Sequence, residues 1–164
     1  MIELIVLDVD GCLTTGGITY TQNGDEIKTF SVKDGLAIAT WIKMGKKVAI
    51  ITGRNSKIVE RRALELKIPY IYQGVEDKKR QLESILKDAN LSFENVAAIG
   101  DDLNDYHMLK NARLSFTPKN GVKHIQEIAD VVLSRDGGDG AVREMIEIIL
   151  EKENLTTRFL SQWV

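Results

Sequence analysis

This chain is short of several things, and each shortage excludes something. Of 164 residues only one, Cys12, is a cysteine. No intrachain disulfide is possible, and a reducing compartment is the natural setting. Only two prolines occur, and no Gly/Ser-rich or low-complexity stretch separates segments, so one compact unit is expected. Neither charge dominates: 22 basic residues against 24 acidic ones leave a formal charge of -2. That balance argues against nucleic acid or an anionic membrane as a partner. No apolar run approaches the roughly twenty residues that cross a bilayer. No charged leader precedes the first strand-like segment either, so the reading is a cytoplasmic protein with no signal peptide and no membrane span. The two histidines, His107 and His124, stand apart without ligand-like spacing. Trp41 and Trp163 read as packing groups, and Cys12 as a small buried hydrophobe with no histidine beside it to activate its thiol.

What is present is a set of short apolar runs ending in polar residues of a particular kind. Leu4-Ile5-Val6-Leu7 lacks polar alternation, as a strand buried on both faces of a parallel sheet would. It runs into Asp8-Val9-Asp10-Gly11. Lys47-Val48-Ala49-Ile50-Ile51 runs into Thr52-Gly53-Arg54-Asn55, and Val96-Ala97-Ala98-Ile99 into Gly100-Asp101-Asp102-Leu103-Asn104-Asp105. A short strand at Tyr70–Gln73 leads to a helix opening near Asp77-Lys78-Lys79. Ligands of open α/β sheets bind beyond the carboxyl ends of the strands. A carboxylate pair there can hold a hard cation, and one carboxylate can attack phosphorus. Each motif alone is an ordinary turn or helix start; their recurrence at successive strand ends is not.

Between these strands the pattern is helical. Asp34 is expected to cap a helix from Gly35 to about Met44, and Asn55 another to about Lys67. Further helices are expected over Asp77–Ala89, 104–111 and 122–128, and a last one opened by Gly140. Further strands are expected at 112–116 and 130–133. Asn23-Gly24 lies between β-prone runs and signals a hairpin over residues 16–30. The fold class is therefore α/β, a Rossmann-like parallel sheet flanked by helices with an early β-hairpin. Residues 1–154 form the domain, and 155–164 an apolar tail that docks on its own chain or on a neighbour.

These motifs resemble those of the haloacid dehalogenase superfamily of phosphatases: Asp8 and Asp10, then Thr52, then Lys78, then Asp101 with Asp105. With Leu13-Thr14, Phe30-Ser31-Val32-Lys33-Asp34-Gly35 and Gly137-Gly138-Asp139-Gly140-Ala141-Val142-Arg143-Glu144, they are similar to its capless branch of 3-deoxy-D-manno-octulosonate 8-phosphate phosphatases. The similarity runs from about residue 4 to 150. It implies a Mg²⁺-dependent phosphomonoester hydrolase of lipopolysaccharide precursor synthesis, acting through an aspartyl-phosphate. Asp8 would be the nucleophile and Asp10 the general acid and base, with Thr52 and Lys78 on the phosphoryl group. Mg²⁺ would sit on Asp8, the Asp10 carbonyl and Asp101, with Asp102 and Asp105 behind them.

Asp10, Ser31, Val32, Lys33, Asp34, Gly35, Arg54, Arg62 and Lys78 match positions that contact a sugar-acid phosphate. The Gly137–Gly140 loop would lie near the site with a lesser contact role. The branch lacks a cap domain and forms homotetramers, so some contacts would come from a neighbouring subunit. One departure is Ala39, where relatives often carry a basic residue. Other readings are a phosphatase of nine-carbon, sialic-acid-type sugars, a receiver-like phospho-signalling module, and an inactive scaffold.

Overall fold

A computed structural model describes residues 1–164. Six parallel strands form one sheet in the order β5-β4-β1-β6-β7-β8. They are β1 (Leu4–Leu7), β4 (Lys47–Ile51), β5 (Tyr70–Tyr72), β6 (Val96–Ile99), β7 (Leu114–Thr117) and β8 (Val131–Val132). Two further strands, β2 (Thr19–Tyr20) and β3 (Glu26–Ile27), pair antiparallel as a hairpin outside that sheet.

The chain begins in the middle of the sheet, winds outward through β4 and β5, then returns to the other side of β1 for β6, β7 and β8. This reversal leaves a crevice beyond the carboxyl end of β1. Register fixes its floor: Leu7 lies level with Ile50 on one side and Ile99 on the other. Asp8, Thr52 and Asp101 therefore emerge near one level on three adjacent strands.

Every residue of β1 and β6 is buried because both faces of the sheet are covered. On one face lie α1 (Val32–Lys43) and α6 (Ala141–Lys152), which share a core with Ile5, Leu7, Val48 and Ile50. On the other, Leu82, Ile85 and Leu86 of α3 (Lys78–Ala89) and Met108 and Leu109 of α4 (Tyr106–Asn111) pack on Leu4, Val6, Ala49 and Ile51. Helix α2 (Lys57–Glu65) contributes Val59 and Ala63 to the first core. Trp41 is wholly buried, and its Nε1 donates to Lys47 O at 3.1 Å, satisfying its one polar atom.

Two helix starts differ from the sequence expectation. Ser31, not Asp34, caps α1, its hydroxyl accepting from the Lys33 and Asp34 amides. Ser56, not Asn55, caps α2. In each case a serine nearby offers a short acceptor at the residue that is still extended, and the helix starts there. Strand β7 is also shifted towards Thr117, because Ala112 terminates α4.

The tail forms α7 (Thr156–Leu160) and packs on its own chain. Trp163 Nε1 donates to Thr40 Oγ1 at 2.9 Å, Lys43 Nζ sits 4.1 Å from the Trp163 ring, and Arg158 donates to Met44 O. Of the remaining helices, α5 (Lys123–Gln126) is a single turn. No helix is long and apolar enough to cross a membrane.

Candidate active site

Beyond the ends of β1, β4 and β6 a cavity of about 250 Å³ is lined entirely by non-hydrophobic residues: Asp8, Asp10, Gly16, Thr52, Gly53, Arg54, Asp101, Asp102 and Asn104. Five of the six acidic or hydroxyl residues singled out at strand ends, Asp8, Asp10, Thr52, Asp101 and Asp102, thus meet in one place, and the sixth, Asp105, stands behind them, bonded to the Asp101 and Asp102 amides. Between Asp10 and Thr52 lie only the hairpin, α1 and β4; between Thr52 and Lys78 only α2 and β5. Neither interval holds a cap domain, and the cavity is open.

Lys78 opens α3 and reaches into the core behind Asp8. Its Nζ lies 2.6 Å from Asp8 Oδ1 and 2.5 Å from Asp105 Oδ1, with all three side chains nearly inaccessible to water. Burial opposes charge on Lys78, but Asp8 and Asp105 outweigh it and hold the ammonium above its ordinary range. Asp105 spends its other oxygen on the Asp101 and Asp102 amides. It therefore aims Lys78 and fixes the turn that carries Asp101. Asp102 caps the short turn after it, accepting from Leu103 N at 2.7 Å, and leans outward.

The carboxylates are crowded. Burial, reinforced by Asp105, pushes the Asp8 carboxyl well above the ordinary carboxylate range despite Lys78. Burial, then Asp105 and Asp102, push Asp101 up to about 6. One oxygen of Asp8, one of Asp101 and the Cys12 Sγ lie within 4.8 Å of one another. Two oxygen donors that repel each other in a dry pocket are what a hard divalent cation would relieve, so the residues fit Mg²⁺. Cys12 is buried, and burial followed by Asp8 raises its thiol well above the ordinary range, so it stays protonated.

The loop bearing Asp8 and Asp10 is held by glycines. Gly11 has φ +96°, and a Cβ there would fall 2.0 Å from Asp101 Oδ2. A Cβ on Gly137 would fall 1.8 Å from Gly11 O, and Gly138 N donates to Cys12 O at 2.9 Å. The glycine-rich loop before α6 thus buttresses the Asp8 loop from below, backbone against backbone.

The other sequence candidates gather elsewhere. Ser31 caps α1, and Val32 and Lys33 are exposed. Gly35 packs against Arg62, whose guanidinium lies 5.8 Å from the Phe30 ring. Asp34 is buried, and its Oδ1 accepts from Arg143 N at 2.8 Å. It supplies to α6 the cap that Gly140, at the helix's own start, has no side chain to give. Burial pushes its carboxyl up to about 6, with the Arg143 and Gly140 amides opposing, and its Oδ2 has no partner. Lys33 instead lines a separate polar groove with Arg135, Arg143 and Glu144. Within one chain, then, Asp8, Asp10, Thr52, Arg54 and Asp101 share a cavity, whereas residues 31–35 lie at the start of α1, with Arg62 beside Gly35 and Lys33 in the separate groove.

Three residues at the site were not singled out from sequence: Tyr20, Glu26 and Lys28, all of the hairpin or its exit. Lys28 Nζ is 2.5 Å from Asp10 Oδ1 and Arg54 Nη2 is 2.8 Å from Glu26 Oε1. Hydrogen bonds that Arg54 donates to Tyr20, then to Glu26, raise its guanidinium above its ordinary range. The sequence signal was the spacing of Glu26 and Lys28, two apart in a β-prone run and so on one face of a strand.

Comparison with known proteins agrees with this geometry. The profile of the haloacid dehalogenase-like hydrolases matches residues 70–146. The 3-deoxy-D-manno-octulosonate 8-phosphate phosphatase KdsC of Escherichia coli K12 is 40% identical over 149 residues, covering 91% of this chain and 79% of that one. The Haemophilus influenzae protein of the same name is 35% identical, covering 96% and 88%. A crystal structure of the Moraxella catarrhalis phosphatase, in complex with magnesium ion, phosphate ion and KDO, superposes with a TM-score of 0.95 at 39% identity, covering 99% of this chain and 94% of that one. A cobalt-bound form of the Haemophilus influenzae phosphatase superposes with a TM-score of 0.89 at 36% identity, covering 93% and 90%. With its strand-end carboxylates, its buried lysine and no cap, this chain belongs to the haloacid dehalogenase-like hydrolases, in the branch of the 3-deoxy-D-manno-octulosonate 8-phosphate phosphatases.

Proposed function

We propose that this protein hydrolyses 3-deoxy-D-manno-octulosonate 8-phosphate, or a sugar-acid phosphate close to it, with Mg²⁺. The observation that carries the reading is the meeting of Asp8, Asp10, Thr52 and Asp101 around one open polar cavity, with Lys78 held behind Asp8. Asp8, Asp101 and the Asp10 carbonyl would hold Mg²⁺, which when bound offsets the charge of the carboxylates and of the phosphoryl group.

Asp8 attacks phosphorus, and the ester P–O bond breaks as Asp10 protonates the departing sugar oxygen. Asp10 then takes a proton from water, which attacks the aspartyl-phosphate and frees Asp8. Thr52 offers its hydroxyl to a phosphoryl oxygen at the end of β4. Lys78 keeps Asp8 aligned and lends positive charge to the phosphoryl side. Arg54, at the cavity wall, and Lys33 and Arg62, beyond the α1 start, suit a substrate with a carboxylate at one end and a phosphate at the other.

The open cavity and the small hairpin support a homotetramer as part of this reading. Strands β2 and β3 are two residues each, pair only with one another, and leave Ile18 and Ile27 about half exposed. A hairpin that small is marginal unless something packs against it. Hairpins of four copies packed together would cover those residues, wall the cavities and bring Lys33 or Arg62 of one copy towards the site of another. The location we propose is the cytoplasm, in keeping with a single cysteine.

The deciding experiment is phosphate release with Mg²⁺ from the eight-carbon substrate and from nine-carbon sugar-acid phosphates. Preference for the eight-carbon substrate supports the reading and makes Ala39 a tolerated departure. Preference for nine carbons moves the substrate, not the mechanism. Release from neither, by folded protein with Mg²⁺ present, overturns the substrate class.

A further inference from the structure

Four charges of alternating sign close a ring beside Asp8. Lys28 Nζ lies 2.5 Å from Asp10 Oδ1 and 3.3 Å from Glu26 Oε1. Arg54 Nη2 lies 2.8 Å from that same Glu26 oxygen, and Arg54 Nε 3.9 Å from Asp10 Oδ2. The ring joins three distant stretches of chain: the loop after β1, the hairpin with its exit, and the turn after β4.

Its members differ in exposure. The Lys28 side chain is 1% exposed, against 21% for Asp10 and 43% for Arg54. A lysine withdrawn from water is costly unless it is paired, so a buried one needs a reason. Lys78, paired with Asp8, is the cation already assigned above to the phosphoryl side. Lys28 does not line the cavity, whereas Asp10 and Arg54 do. Asp10 Oδ1 is therefore turned to the hairpin, and Oδ2 towards the cavity side, where Arg54 stands.

We propose that Lys28 is a positioning residue for the reaction: it grips Asp10 by Oδ1 so that Oδ2 carries the proton to the leaving oxygen. The inference rests on Asp10 being the proton donor and deepens that assignment. In the first step an Asp8 oxygen bonds to phosphorus, and the ester P–O bond breaks with its electron pair moving to the sugar oxygen. The proton on Asp10 Oδ2 passes to that oxygen. Lys28 keeps its own protons throughout. A donor must lie within hydrogen-bond reach of its target, and a freely rotating carboxyl would spend much of its time elsewhere. Glu26 keeps Lys28 aimed and ties it to Arg54. The hairpin is thereby part of the acid–base apparatus as well as a wall.

The test compares leaving groups. A sugar or other alkyl phosphate needs its departing oxygen protonated, whereas nitrophenolate leaves without a proton. First-step rates are read by rapid quench for the alkyl ester and by the nitrophenolate burst for p-nitrophenyl phosphate. Lys28→Gln is expected to slow the alkyl first step about 100-fold while changing the burst less than about 3-fold. Lys28→Arg restores most of the alkyl rate, and Mg²⁺ affinity by calorimetry stays near that of the parent.

Glu26→Gln, which leaves Asp10 and Lys28 in place, shows the same leaving-group pattern at about 10-fold and serves if Lys28→Gln does not fold. Equal losses on both esters, or no loss on the alkyl ester, overturn the proposal. If the parent cleaves no sugar-acid phosphate, the substrate reading fails instead, and glycerol phosphate against p-nitrophenyl phosphate still decides the role of Lys28.

Discussion

Lys78 and Asp105 meet at 2.5 Å in a pocket that water does not reach, although 26 residues separate them in the chain. The same ammonium holds Asp8, so the residue that opens α3 and the residue that closes the turn after β6 together set the orientation of the Asp8 carboxylate. Asp105→Ala is expected to cost about 3 kcal/mol of stability, because it strips a buried charge of a partner and frees two backbone amides. Urea unfolding measures this. Asp105→Asn, which keeps one acceptor, should cost less, and turnover should fall in both.

Asp34 gives the protein a pH dependence of known sign. Its carboxyl is raised from the ordinary 3.8 to about 6 by burial. Between those values the folded state binds more protons than the unfolded one, so this group's contribution to stability falls as pH rises from about 4 to 6. Above 6 the ionised form carries a constant cost. Asp34→Asn keeps an acceptor for the Arg143 amide and removes that cost. It should be more stable than the parent at pH 7.5 by about 1–3 kcal/mol, with the advantage shrinking towards pH 4. Denaturant melts of both proteins across that range check the slope; a variant less stable at every pH contradicts it.

Gly11 is the backbone position on which the carboxylates depend. Its φ of +96° and the 2.0 Å approach of a hypothetical Cβ to Asp101 Oδ2 leave no room for alanine. Gly11→Ala should displace Asp101 and weaken Mg²⁺ binding roughly 10–100-fold, by calorimetry, while the sheet and its circular dichroism persist.

The tetramer proposed above, packed through its hairpins, is one that a single charge should break. Ile27 is 48% exposed on β3 and its neighbours on the opposite strand are exposed too. Ile27→Glu should shift the protein from tetramer towards monomer in sedimentation, with lower turnover on the sugar-acid phosphate. A parent that is monomeric and fully active contradicts the shared-site reading.

Much of this was legible in the sequence because the site is built at strand ends. Asp8, Thr52 and Asp101 follow runs of buried apolar residues, and parallel register brings such ends to one level whatever the loops do. The absence of a cap was equally legible, since the intervals between motifs are consumed by elements that the periodicity identifies. The hairpin's part in the site was not. Glu26 and Lys28 sit in a run with no motif, and only the fold of the hairpin onto the Asp10 loop brings Lys28 to the Asp10 carboxylate and Glu26 to Lys28. Asp34 misled for the opposite reason. A helix-start aspartate beside a serine reads as a cap for its own helix, but it caps α6, 109 residues away. Sequence spacing reports local capping and is silent on caps supplied across the fold.

In the proposed reaction Asp8 is phosphorylated during turnover. Steady-state reaction mixtures with substrate and Mg²⁺, quenched in acid and reduced with borohydride, convert an aspartyl-phosphate to homoserine, which peptide mass spectrometry locates. The account predicts homoserine at position 8, absent without substrate, absent with EDTA, and absent in Asp8→Asn together with turnover. Sustained phosphate release from the parent with no modification at Asp8, or from Asp8→Asn at a comparable rate, would contradict it.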